Sequence, residues 1–332
     1  MSSSDEELLQ QKMSDLHVRI KGSGVEKLIH QLYRELEAKG IKFRPHFWLS
    51  DEWYTPDGVA GCAIPFYMVH ERLARLELNQ MLEVEGGTPE WCMRILRHEC
   101  GHAIDNAFRL RRRRIRQQAF GLSSQRYPDA YTPRPYSKSF VQHLDFWYAQ
   151  SHPDEDFAET FAVWLTPGSP WRERYSGWRA LRKLECLETM MTDLRTRTPP
   201  VLIRKRVDAL PHLNRTLASH YATKRERYGL EHPDVYDRDL RRLFATRSNS
   251  HNHRSAASFL RRVRKEVRRK VATWTGLYQY TIDQVFDDII DRCRELDLTV
   301  SGLEDQTKID FTVLLTVQTI NYLHSGRHRV VL

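Results

Sequence analysis

Cysteine is scarce and unpaired in this sequence: Cys62, Cys92, Cys100, Cys186 and Cys293 are odd in number and form no CxxC unit. That pattern excludes a disulfide framework and a thiolate zinc site, and a reducing compartment, the cytoplasm, is the simplest setting. No stretch approaches the roughly 18 uncharged apolar residues that a membrane-spanning helix needs. The opening residues, MSSSDEELLQQKMSD, lack the basic-then-apolar order of a secretory leader. There is no internal repeat, no extended low-complexity tract, and no signature of an RNA-recognition motif, zinc finger or helix-turn-helix. What remains, 40% hydrophobic and 29% charged residues over 332 positions, is the make-up of a soluble globular chain with room for two domains.

Residues 5 to 39 carry Leu8, Leu9, Met13 and Leu16, then Val25, Leu28, Ile29, Leu32 and Leu36, at helical spacing, which predicts two helices with glycines between and after them. From Ile41 to His70 the texture turns aromatic and β-branched, IKFRPHFWL and GCAIPFYMVH around the turn sequence TPDG, and predicts strands of a small sheet. Thr88 and Pro89 then stand in helix-start positions before WCMRILRHECGHAIDNAFRL, whose apolar residues recur at three and four. A turn-rich stretch leads to a second helix from about Pro153 to Leu165, stopped by TPGSP. The irregular residues 121 to 147 between the two helices are expected to lie over the site they carry. Beyond Pro199 and Pro200 the pattern is helical again, with two helices in 277 to 323.

His98-Glu99-Cys100-Gly101-His102 is an HExxH motif on the first of these helices. Residues four apart share a helix face, so both imidazoles can reach one zinc ion while Glu99 leans toward the open coordination position. A catalytic zinc needs a third protein ligand. The metzincin arrangement requires a histidine six residues after His102, where Phe108 stands, and no HxxGxxH follows. The second helix supplies EDFAETFAVWL, in which Glu155 and Glu159 lie four apart on one face. One can ligate while the other accepts the free N–H of a ligand histidine.

The runs HECGHAID and YAQSHPDEDFAETFAVWL, with GCAIPFYMVH and PYSKSF, resemble a bacterial family of zinc-binding metallopeptidases, over much of residues 40 to 170. The same blocks are similar to the catalytic core of anthrax lethal factor, a gluzincin, in which a tyrosine precedes the glutamate ligand by seven. Here Tyr148 stands seven before Glu155. The resemblance implies one Zn2+ per chain held by His98, His102 and Glu155, with Glu159 behind a ligand, Glu99 as general base and Tyr148 as donor to the oxyanion. It implies hydrolysis of a protein or peptide. Cys100 departs from the usual residue before the glycine, and nothing in the C-terminal third corresponds to lethal factor.

The resemblance also makes GCAIPFYMVH the candidate strand for aligning substrate, with Pro65 suiting an edge. Asp105, three after His102, is a further candidate behind the ligands, and Cys100, inside an apolar helix face, reads as buried and inert. Fifty-two Lys and Arg against 43 acids give a net +9. Arg111 to Arg114 and the run 254 to 270, eight basic residues with the single acid Glu266, could attract polyanions. A nucleic-acid-associated or scaffolding role for the basic helices is therefore the alternative to the peptidase. The expected fold class is α+β: an N-terminal helical segment over 1–40, a zincin-like core over 41–198 and a mainly helical basic region over 199–332.

Overall fold

The computed structural model describes residues 4–128, 130–131, 134, 137–228, 237–246, 254–324 and 330–331. Parts of the 121 to 147 stretch, including Pro135 and Tyr136 of PYSKSF, lie outside the described residues. The chain divides into two compact units, residues 1–80 with 84–220 and residues 81–83 with 221–331.

The first unit begins with α1 (Asp5–Gln10), closed by a capping box between Ser4 and Glu7, and α2 (Gly24–Ala38), which buries Val25, Ile29, Leu32 and Leu36 on one face. Two strands follow, β1 (His46–Ser50) and β2 (Gly61–Pro65), paired in parallel with His46 opposite Gly61 and Ser50 opposite Pro65. The sheet is mixed in the sense that Tyr54, on the crossover, also bridges Ala63 in antiparallel fashion. All five β2 residues are buried, and the Ala63 N–H is taken by the Tyr54 carbonyl at 2.9 Å. GCAIPFYMVH is thus a strand only to Pro65, after which Phe66–Val69 winds into a 3₁₀ turn, and its outer edge is engaged by the chain itself at Ala63.

After α3 (Glu71–Met81) comes α4 (Pro89–Phe108), capped by the Thr88 side chain on Trp91 N at 3.2 Å and ended by Arg109 in the left-handed region at φ 52°. Next are α5 (Arg114–Phe120) and α6 (Pro153–Leu165). Pro153 opens α6, His152 Nδ1 accepts from Asp154 N at 3.2 Å, and Asp154, Glu155 and Asp156 fill its first turn, where the helix dipole favours negative charge. After the short α7 (Trp171–Arg174), α8 (Arg179–Leu194) packs against α5 and α6. Residues 201 to 220 close the unit: Val207 O accepts from Trp48 Nε1 at 2.9 Å and from Tyr54 OH at 2.7 Å.

α9 (Leu217–Tyr228) runs across the division between the units. The second unit contains α10 (Asp237–Leu243), α11 (Ala256–Thr275), α12 (Gln279–Glu295) and α13 (Glu304–His324). α11 buries Phe259, Leu260, Val263, Val267 and Val271 against α12 and α13. Two-residue strands, Ala245–Thr246 and Leu298–Thr299, pair antiparallel beside them. No described helix is long and apolar enough to cross a membrane.

Candidate metal centre

The two helices predicted to carry the site meet at a seam without side-chain bulk. A Cβ on Gly101 would lie 2.8 Å from the Ala158 Cα and 3.2 Å from its carbonyl oxygen, so only glycine allows α4 and α6 to approach this closely. Cys100, Ala103, Ile104, Phe157, Ala158 and Phe161 are buried around that contact. One turn earlier on α4, Glu35 of α2 receives the Arg97 guanidinium in two hydrogen bonds of 2.7 and 2.8 Å, both side chains buried.

On this scaffold His98 Nε2, His102 Nε2 and Glu155 Oε2 form a nearly equilateral triangle. Glu155 Oε2 is 3.0 Å from His98 Nε2 and 3.1 Å from His102 Nε2, and the two nitrogens are 3.1 Å apart. Zinc ligands at 2.0–2.1 Å in tetrahedral array are separated by roughly 3.3 Å, so these three atoms converge as a zinc ion requires. Their chemistry, two imidazoles and a carboxylate, is that of a catalytic rather than a structural zinc. These are the described residues in which three metal-ligating groups cluster.

Behind the triangle, Glu159 Oε1 lies 2.8 Å from His98 Nδ1, and its other oxygen accepts from the Leu144 N–H at 2.9 Å. The carboxylate fixes the ring so that Nε2 faces the metal position. Burial opposes charge on both histidines, but the hydrogen bonds to Glu155 and Glu159 override it for His98, which is pushed up to about 10, and the Glu155 charge raises His102 as well. Burial likewise opposes ionisation of Glu155, and the two imidazoles hold its carboxyl well below the usual range.

Glu99 is buried beside the triangle. The Thr55 hydroxyl donates to its Oε2 at 2.8 Å and lies 3.2 Å from its carbonyl oxygen. The 56–59 turn is in turn anchored to α4, because Asn106 Nδ2 donates to both Pro56 O and Val59 O at 3.0 Å. The Tyr148 ring packs on His98 at 5.5 Å between centroids. Burial, with the charges of Glu155 and Glu99, pushes its phenol well above the ordinary value, so that it keeps its proton at neutral pH.

Asp105 touches neither histidine in the contacts observed. It accepts from the Arg111 N–H at 2.7 Å and pairs with Arg116 at 3.3 Å. Arg116, buried, also bonds Asp154, the residue before Glu155, and thus joins α4 to α6.

Thr55 and Tyr127 escaped the sequence reading. Thr55 sits in a stretch that reads only as a turn, and Tyr127 in one that reads as irregular. Tyr127 OH donates to Glu155 Oε1 at 2.9 Å, and its ring stacks on His152 at 3.7 Å. Cys100 is fully buried and its thiol is raised by burial, which leaves it unreactive as expected.

Several side chains of the basic runs pair with nearby acids. Arg111 meets Asp57, Asp105 and Asp154, and Arg113 meets Asp193. In the second unit Arg254 and Arg262 pair with Glu304, Arg264 and Arg268 with Asp283, and Lys270 with Glu266.

The segment that carries all five of His98, Glu99, His102, Glu155 and Glu159 is also where a family match falls. Residues 93–167 match a family described as "Putative zinc-binding metallo-peptidase". No curated protein and no solved structure matches the chain.

Proposed function

We propose that this chain is a zinc-dependent peptidase of the gluzincin type, an endopeptidase acting on a protein or peptide substrate. The observation that carries the reading is the convergence of His98 Nε2, His102 Nε2 and Glu155 Oε2 within 3.0 to 3.1 Å of one another, with Glu99 held beside them by Thr55. Zinc bound there would supply Lewis acidity, polarising the scissile carbonyl and lowering the pKa of an attacking water. Glu99 takes the proton of that water and passes it to the leaving amine. Tyr148, protonated beside His98, donates a hydrogen bond to the carbonyl oxygen as it gains negative charge. Glu159 keeps the His98 ring oriented throughout.

A role centred on polyanion binding draws less support, because several basic side chains of both runs already face carboxylates and no described feature points to a nucleic-acid site. The test is cleavage of an unstructured protein substrate by the zinc-loaded chain and by Glu99→Gln. The variant is expected to keep its zinc and lose roughly 10²- to 10⁴-fold in rate. Equal cleavage by both, or none by the loaded wild type on a broad proteomic substrate set, would sink the peptidase reading.

A further inference from the structure

The Glu155 carboxylate has two oxygens with different duties. Oε2 faces both ligand histidines, whereas Oε1 receives the Tyr127 hydroxyl at 2.9 Å. The side chain is buried. A buried carboxylate that gives one oxygen to a metal needs a donor for the other, or it turns to offer both. Tyr127 is placed to be that donor, and its own position is fixed. Its ring lies on the His152 imidazole at 3.7 Å and 19°, and His152 is pinned on both nitrogens, by Asp154 N at 3.2 Å and Gln125 O at 3.0 Å. The chain 28 residues before Glu155 is therefore tied to the start of the ligand helix by a stack and a hydrogen bond together.

Resting on the metal reading above, we infer that Tyr127 is a positioning residue that confines Glu155 to one-oxygen ligation and so keeps a coordination position open for water and substrate. Tyr148 faces His98 on its own account, and the two tyrosines have separate duties, one on the ligand and one on the substrate oxygen. Tyr127 is 42% exposed, so its ring can be altered without opening the core.

The experiment is cobalt substitution of the full chain, wild type against Tyr127→Phe, which keeps the ring and its stack. Visible absorption reads the coordination number, since a four-coordinate cobalt ion absorbs much more strongly than a five-coordinate one. A competition titration reads the affinity. Tyr127→Phe is expected to show a weaker band and roughly tenfold weaker binding, the lower end of what loss of an outer partner of a ligand does. An unchanged band with unchanged affinity would overturn the inference. So would weaker binding with an unchanged band, because the hydroxyl would then serve stability and not ligand geometry. Thermal melting of the two metal-free proteins checks that both are folded. A wild type that takes up no cobalt would remove the metal reading itself, a result distinct from either outcome at Tyr127.

Discussion

Thr55 and Glu99, 44 positions apart, are joined by a 2.8 Å hydrogen bond from hydroxyl to carboxylate. The donor is held in place because the turn that follows it hangs from α4 through Asn106, so Glu99, the proposed general base, and its support ride on one helix. Thr55→Val is expected to lower kcat by roughly tenfold with KM and zinc content little changed, as for other outer partners of a site. Thr55→Ser should restore most of the loss. A Val variant with wild-type kcat would show that the hydrogen bond does not orient Glu99.

Gly101→Ala places a methyl group against backbone, not against a side chain that can swing aside. Overpacking of this kind costs about 1–3 kcal/mol. The seam would have to widen, and Glu155 would move relative to the two histidines. Denaturant unfolding should report the destabilisation, and zinc affinity should fall with it; an Ala variant as stable as wild type would contradict the contact.

Removing the charge at Arg116 leaves Asp105 and Asp154 buried without it. Arg116→Met is expected to cost about 3–5 kcal/mol, the range for breaking a buried ion pair by deleting one partner. Asp105→Asn with Arg116 intact should cost less, because Arg116 keeps Asp154 and the carbonyls of Gly121 and Pro153. Urea midpoints of the two variants give the comparison, and a reversed order would refute it.

Protons and metal compete at His98. Its pKa in the metal-free chain is pushed up to about 10 from 6.5, despite burial, by the hydrogen bonds to Glu155 and Glu159. A histidine raised on folding contributes stability that is complete below its unfolded value and is lost as pH rises through the folded one. The metal-free protein should therefore lose stability between about pH 7 and 10, whereas a zinc-loaded form, whose His98 is neutral by necessity, should not lose it there. Zinc uptake at neutral pH should also release about one proton or more, visible as a calorimetric heat that changes with buffer ionisation enthalpy. Identical heats in all buffers would exclude a protonated His98.

Much of this site was legible in the sequence because its parts follow local rules. His98 and His102 share a face by helical period, Thr88 and Pro89 announce the start of α4, and the EDFAE run places Glu155 and Glu159 one turn apart on α6. The helix bounds expected at Pro153 and Leu165 are those observed. Thr55 and Tyr127 obey no such rule. Each acts through one hydroxyl delivered by irregular chain, and their partners lie 44 and 28 residues away, a juxtaposition that only tertiary packing creates. The same holds for Asp105, whose partner Arg116 lies two residues past the basic run Arg111 to Arg114 and is fully buried. The sheet, too, was foreseen as strands but not as a parallel pair whose β2 edge is engaged by Tyr54.

The buried pair of Glu35 and Arg97 ties α2 to the helix that carries the candidate metal centre. Arg97 immediately precedes His98, and its counter-charge comes from α2, outside both the segment 93–167 and the stretch beginning at Ile41. A protein trimmed to begin after Gly40 would carry an uncompensated guanidinium next to His98, the first of the proposed ligands. Any fragment designed to test the proposed activity should therefore start upstream of α2, even though the proposed catalytic residues all lie downstream of it.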